Sequence, residues 1–180
     1  CNVEDHLGRL AEVDWIIEVV IERLDAKRAL YRRIETRFDR MMEAGAMAET
    51  ARIVAGMGAG IVDINMGCPA KVVTGVASGS ALMRDIEGAT RILAAVRGAV
   101  RVPVTVKMRL GWDETALNAP LIARRAEEAG IQMITIHGRT RCQFYKGAAD
   151  WRAIARVKQA VSVPVVANGD VGDLVTAQTA

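Results

Sequence analysis

Ile61-Val62-Asp63-Ile64-Asn65-Met66-Gly67-Cys68-Pro69-Ala70-Lys71 is the stretch on which the reading of this chain turns. It opens as an apolar, β-branched run suited to a strand and breaks at Gly67. Pro69 disfavours a direct passage into a helix by restricting the residue before it. A thiol and an amide are thereby delivered to the carboxyl end of a strand, with Lys71 just beyond. In β/α proteins that end carries the chemistry, because its loops vary while the strands hold them still. On spacing alone, an inert half-buried cysteine at a strand end reads equally well.

Outward from this stretch the pattern repeats. Ile61–Asn65 is predicted as a strand, Gly67–Ser80 as a loop and Ala81–Val100 as mostly helix. Val102–Arg109 follows as a strand with Pro103 at its entrance, where a missing ladder donor matters least. A helix is expected over Glu114–Ala129, with Leu117, Leu121, Ile122 and Ala126 at helical spacing and Gly130 ending it. Ile131–His137 is a strand, a polar loop runs to Ala149, and Asp150 is placed to cap a helix over Trp151–Ala160. Val163–Ala167 is the fourth strand, and the last ten residues begin one more helix. Toward the amino terminus a helix is expected from about Arg37 to Met57, interrupted near Gly45 and stopped by Gly58 and Gly60. A strand over Trp15–Ile21 and a helix from about Glu22 to Glu35 precede it. Residues 61–180 thus read β-α-β-α-β-α-β-α with largely apolar strands, the mark of a parallel sheet buried under helices. A doubly wound sheet and a (β/α)8 barrel both satisfy that order.

The chain has 180 residues, 51% of them apolar, enough for one domain with a sizeable core. Plentiful glycine and few aromatics suit alternating helices and strands rather than a sandwich or a disordered tail. No apolar run is long enough to span a bilayer. Cys1, Cys68 and Cys142 form neither a disulfide framework nor a zinc pattern, so no metal is expected and a reducing cytoplasm is the expected compartment. The net charge of +3 and the pI near 9.0 permit a polyanionic partner without demanding one. Arg139, Arg141 and Lys146 fall in one loop beside Phe144 and Tyr145, a mixture suited to phosphates and stacked bases. A solvated surface is the plainer reading of that loop.

Each of the four strands ends in polar groups: Asn65 with Cys68, Lys107 with Arg109, His137 with Arg139, and Asn168 with Gly169 and Asp170. Parallel neighbours bring such ends to one rim. A lysine closing an apolar strand is costly unless something there wants its charge; a phosphate or an anionic reduced flavin ring would, and a buried carboxylate is the plainer alternative. A histidine alone is more often a satisfied core residue, but four loaded strand ends out of four point to a site.

These motifs carry a resemblance. Asp63-Ile64-Asn65-Met66-Gly67-Cys68-Pro69-Ala70-Lys71, Val106-Lys107-Met108-Arg109, Ile136-His137-Gly138-Arg139-Thr140-Arg141 and Ala167-Asn168-Gly169-Asp170 together resemble the tRNA-dihydrouridine synthases, the bacterial B type above all, from about Met47 to Ala180. The resemblance implies a flavin-binding TIM barrel that reduces the C5–C6 bond of a uridine in tRNA. NADPH would reduce FMN, the flavin would pass hydride to C6, and Cys68 would protonate C5. Asn65 would hold the uracil edge. Lys107 and His137 would contact the flavin ring and ribityl chain, while Asn168, Gly169 and Asp170 would form part of the phosphate site. Arg139 and Arg141 would line the RNA-facing rim. The target base would have to leave its stack to reach such a site.

The sequence also departs from that family. Its first-strand and second-strand motifs, its last barrel strands with their phosphate loop, and its helical domain have no counterpart here, so about half of the eight strands are expected. Asp14–Tyr31 resembles instead a strand–helix piece of the NAD-binding domain of 3-hydroxyacyl-CoA dehydrogenases, without that family's glycine-rich loop, and no NAD site is assigned. The expectation is therefore a chimera joined near residues 36–46, with residues 1–45 of different origin and residues 46–180 forming a partial flavin barrel. Two open sheet edges would favour self-association. One alternative is an inactive chimeric fragment that retains no FMN. Another is a flavin barrel acting on free pyrimidines.

Overall fold

The computed structural model describes residues 44–70 and 78–179. The strand and helix expected over residues 15–35, and the junction expected near residues 36–46 up to residue 43, lie outside the described residues. The described elements run α1 (Ala44–Gly56), β1 (Val62–Met66), a 3₁₀ helix (Gly79–Arg84), α2 (Ile86–Ala99) and β2 (Val104–Arg109). They continue with α3 (Ala119–Glu128), β3 (Met133–His137), α4 (Trp151–Ala160), β4 (Val165–Asn168) and α5 (Leu174–Thr179). Gly45 falls in the first turn of α1, at the edge of the described residues, and the helix stops where Gly58 takes a left-handed φ of 94°.

All three strand pairings are parallel and the sheet order is β1-β2-β3-β4. A doubly wound sheet reverses its order at a switch point, and the described sheet does not. Right-handed crossovers that always step to the next strand put every connecting helix on the same face. The fold is α/β, a partial TIM barrel, with β1 and β4 as the edges of the described sheet.

Side chains alternate across a strand, so each strand divides its residues between two faces. Ile64, Met66, Val104, Val106, Met108, Ile134 and Ile136 lie on the face under the helices and are buried. They pack with Ala89, Ile92, Leu93 and Val96 of α2, Ile122, Ala123 and Ala126 of α3, and Ile154 and Val157 of α4. Each of the Val, Leu, Ile and Met side chains among them contributes about 1.5–3 kcal/mol of burial. The opposite face carries Asp63, Asn65, Thr105, Lys107, Arg109, Thr135, His137 and Asn168. In a barrel this is the interior face.

Ala81–Val100 is mostly helix, as expected, in two pieces. The Asp85 carboxylate accepts from the Gly88 amide at 2.9 Å, which separates the 3₁₀ turn from α2. One helix expectation needs correction: no helix begins at Glu114. The Asp113 carboxylate accepts from the Thr115 amide and hydroxyl, closing a turn, and α3 starts only at Ala119, with Pro120 in its first turn. Leu117 and Leu121 are consequently exposed, and the buried positions of α3 are Ala119, Ile122, Ala123 and Ala126. Asp150 caps α4 as expected, accepting from the Ala153 amide at 2.8 Å. Replacing it, Asp150→Ala, is expected to cost about 1 kcal/mol, read as a lowered midpoint in chemical denaturation.

Candidate active site

Strand register sets the site out in two rows on the face opposite α2, α3 and α4. Asn65 pairs with Lys107 and Lys107 with Thr135, while Arg109 pairs with His137 and His137 with Asn168. Cys68 follows β1 after the single residue Gly67. The carbonyl oxygen of the Asn65 side chain accepts from the backbone amides of Gly67 and Cys68, at 2.9 and 3.1 Å. This turn fixes the cysteine backbone, and it commits the amide oxygen of Asn65 so that its NH2 end is presented as a donor. The Cys68 carbonyl in turn accepts from the amide and hydroxyl of Ser80, at 3.1 and 2.9 Å, which anchors the far end of the loop. The Cys68 thiol is free and half-buried, whereas Cys142 is free and exposed.

Arg109 holds the loops together. It is 3% exposed, and its guanidinium donates from Nε to the Gly67 carbonyl at 2.9 Å. Nη1 donates to the carbonyls of Thr140 and Phe144, at 3.0 and 2.8 Å. One rigid fork thus ties the cysteine loop to the loop after β3. The same guanidinium lies 5.5 Å from the centroid of Tyr145. Burial draws its pKa below the usual arginine value. Phe144 adopts a left-handed φ of 53°, a strain of about 1 kcal/mol that its carbonyl's bond to Arg109 helps hold.

His137 is 7% exposed, sits edge-on to Tyr145, and its Nδ1 has no hydrogen-bond partner among the described residues. Burial first, then the cations Arg109, Lys107 and Arg139, push its pKa from 6.5 down to about 4, against an opposing pull from Asp170. At neutral pH the imidazole is uncharged. Gly169, with φ of 105°, lets the backbone after β4 approach this ring. A Cβ there would lie 3.2 Å from the His137 Nε2.

Arg139 and Asp170 stand elsewhere than the sequence suggested. Arg139 is 5% exposed, and its Nη2 donates to both Asp170 carboxylate oxygens at 2.7 Å and to the Gly147 carbonyl. It is a buried tie between the loops after β3 and β4. Asp170 also accepts from the Ala149 amide, and Arg139 holds its carboxyl below the usual carboxylate range. An occupied carboxylate is a poor phosphate ligand, so Asp170 braces the loop that was expected to take a phosphate. The Gly169 carbonyl accepts from the Trp151 indole at 3.0 Å. Lys107 is half-buried beside Asn65 on the polar face, and Asn168 is half-buried at the end of β4.

Arg141 lies outside this centre. Its guanidinium stands 4.7 Å from the centroid of Trp112 and 4.9 Å from that of Phe144, while Arg84 stands 4.9 Å from Trp112. Arg84 and Trp112 were not singled out from the sequence. Their one signal is that Arg84, Trp112 and Arg141 recur once per β/α unit after successive strands. Among the described residues no group of three or more His, Cys, Asp or Glu is placed to hold a metal, and no helix is long and apolar enough to cross a membrane.

Parallel strands in sequential order, helices on one face and a polar rim with a cysteine on the other define a β/α-barrel segment of the enzyme type. The family described as dihydrouridine synthase (Dus) matches residues 41–180, and the chain belongs to it. A probable tRNA-dihydrouridine synthase of Rhodobacter capsulatus is 68% identical over 138 residues, which are 77% of this chain and 43% of that protein. One from Rhizobium leguminosarum is 64% identical over 129 residues, 72% of this chain and 41% of that protein. The tRNA-dihydrouridine synthase B of Xanthomonas axonopodis is 54% identical over 129 residues, 72% of this chain and 39% of that protein. The chain therefore spans about two fifths of the length of these curated relatives. The family match begins at residue 41, so the dehydrogenase-like opening and the chimeric join draw no support from it.

Two outcomes follow from this geometry. Arg109→Lys keeps the charge but loses the fork, and is expected to lower stability by on the order of 3 kcal/mol, read by urea denaturation. The unfolded His137 titrates near 6.5 and the folded one near 4, so the unfolded state binds the extra proton between those values. Stability should fall as pH drops from 6.5 toward 4 and level off below. Denaturation midpoints at pH 7.5 and 4.5 check this, with His137→Gln expected to shrink the difference. Asp170 titrates below that window because Arg139 lowers it.

Proposed function

We propose that this chain carries the protonating half of a tRNA-dihydrouridine synthase site, acting on the C5–C6 bond of a uridine in tRNA with FMN and NADPH. The observation that supports it most is the Cys68 loop: a cysteine with a free thiol, whose backbone amide is held by Asn65 and whose loop is tied through Gly67 to Arg109, on the rim that also bears Lys107 and His137. The curated relatives are named for tRNA, which favours this reading over a barrel acting on free pyrimidines.

The donor set fits a flavin. Lys107 puts positive charge on the polar face of the sheet, where an anionic ring gains from it, and the buried Nδ1 of the neutral His137, without a partner among the described residues, suits a polar ring or ribityl group. Bound FMN, reduced by NADPH, would supply the hydride. The remaining work belongs to the chain. Asn65 donates from its NH2 to a carbonyl of the uracil and so orients the base. Cys68 gives its thiol proton to C5, and the loop fixed by Asn65 and Ser80 keeps that sulfur on one side of the base. Asn168 and the backbone at Gly169 shape the far side of the cofactor's seat. The cytoplasm is the proposed compartment, and the edges β1 and β4 are proposed to pair with a second copy.

A second reading, an inactive segment without flavin, rests on the described sheet having four strands rather than the eight of a closed barrel. The test is dihydrouridine formation in unmodified tRNA supplied with FMN and NADPH. Wild type is expected to form it, and Cys68→Ala to lower the rate by roughly 10²–10⁴ while retaining as much flavin as wild type. A chain that retains no FMN and forms no dihydrouridine belongs to the second reading. Turnover of free uracil without tRNA would instead favour the free-pyrimidine barrel.

A further inference from the structure

We propose that Ser80 is a positioning residue for the Cys68 thiol: its hydroxyl and its own amide together hold the Cys68 carbonyl, and so set the direction in which the sulfur leaves the backbone. This rests on the reading of Cys68 as proton donor above and deepens it by naming what keeps the sulfur on its approach to C5.

The position of a thiol follows from the φ and ψ of its residue and one side-chain torsion, because the peptide planes on either side are rigid. The plane between Gly67 and Cys68 is held from both ends. Its carbonyl accepts from Arg109 Nε at 2.9 Å, and its N–H donates to the Asn65 side-chain oxygen at 3.1 Å. The plane between Cys68 and Pro69 offers less to hold. Proline has no N–H, so the Cys68 carbonyl is the sole hydrogen-bonding group of that plane. Among the described residues it is Ser80 that takes it, with the amide at 3.1 Å and the hydroxyl at 2.9 Å. With both planes fixed, the remaining freedom of the sulfur is χ1.

Ser80 is suited to this work. It is fully buried, so no water competes for its hydroxyl, and it reaches a carbonyl twelve residues away in the chain. It belongs to the 3₁₀ helix Gly79–Arg84, which is itself anchored in the core. Met83 of that helix is fully buried, and its carbonyl accepts from the Asn118 side-chain amide at 2.7 Å. The Ser80 amide alone would close the loop. The hydroxyl adds a second bond to the same carbonyl, and its loss frees the plane after Cys68 to rock about one remaining bond.

The test compares wild type with Ser80→Ala in the whole chain by two readouts. The first is alkylation of Cys68 by iodoacetamide, followed by peptide mass spectrometry, which needs neither flavin nor tRNA. Cys68 is half-buried, and Ser80→Ala is expected to raise its alkylation rate about two- to tenfold, the factor that corresponds to one hydrogen bond. The exposed Cys142 should react alike in both proteins and serves as the internal control. The second readout is dihydrouridine formation in unmodified tRNA with FMN and NADPH. There kcat should fall by a similar factor, with KM for tRNA and retained FMN unchanged. In a Cys68→Ala background the same substitution should lower kcat no further, because Ser80 acts through the thiol.

A wild-type alkylation rate in Ser80→Ala overturns the proposal whatever happens with tRNA. An unchanged kcat also overturns it, as does an equal loss of kcat in the Cys68→Ala background, which would assign Ser80 to general stability. Wild type that forms no dihydrouridine overturns the parent reading and the part of Ser80 in that reaction, whereas faster alkylation in Ser80→Ala still supports its hold on Cys68. Should circular dichroism show Ser80→Ala unfolded, hydrogen exchange of the wild-type Ser80 amide decides: protection supports the hold, and exchange at the free-peptide rate overturns it.

Discussion

Period-two alternation along four parallel strands is the constraint from which the rest of this structure follows. Sequential pairing places all the connecting helices on one face, so one side-chain set must be apolar and the other is released for chemistry. Val106 and Met108 go to the helix side while Lys107 and Arg109 go to the other, from adjacent positions in one strand. A slip of one residue in register would exchange the two sets and bury the site cations in the core. Apolar packing under α2, α3 and α4 therefore does more than stabilise the sheet: it dictates which residues reach the rim.

Loop order depends on two buried arginines that use their charge differently. Arg109 spends its donors on backbone carbonyls of the loops after β1 and β3. Arg139 pairs with Asp170 and joins the loops after β3 and β4. A lysine could supply either charge, but not the planar fork that reaches several acceptors at once. Between them lies His137, kept neutral by burial and by these same cations. A neutral imidazole among cations can donate or accept next to an electron-rich ligand, whereas an imidazolium would add to the local repulsion.

Residue types and spacing carried much of this in advance. The strand ends bearing Cys68, Lys107, His137 and Asn168 were legible because apolar runs stop there against polar groups, and the Asp150 cap because an acidic residue precedes an amphipathic helix. The start of α3 was not, since Glu114–Asn118 has ordinary helical composition and only the Asp113 turn holds it out of the helix. The burial of Arg139 was hidden for a similar reason. An arginine in a polar loop looks like a surface group until its own loop folds back with Gly147 and the loop after β4 brings Asp170 to it.

By itself, then, the sequence determined the β/α alternation, the family and the identity of the strand-end residues, because hydrophobic period and local motif are properties of adjacent positions. Tertiary structure alone decided that the sheet runs β1-β2-β3-β4 with helices on one side, and that Arg109 is a tie rather than a ligand-facing charge. It alone brought Arg84 to the same indole as Arg141. Those facts depend on which distant segments meet, and partners separated by whole β/α units leave no mark in local periodicity.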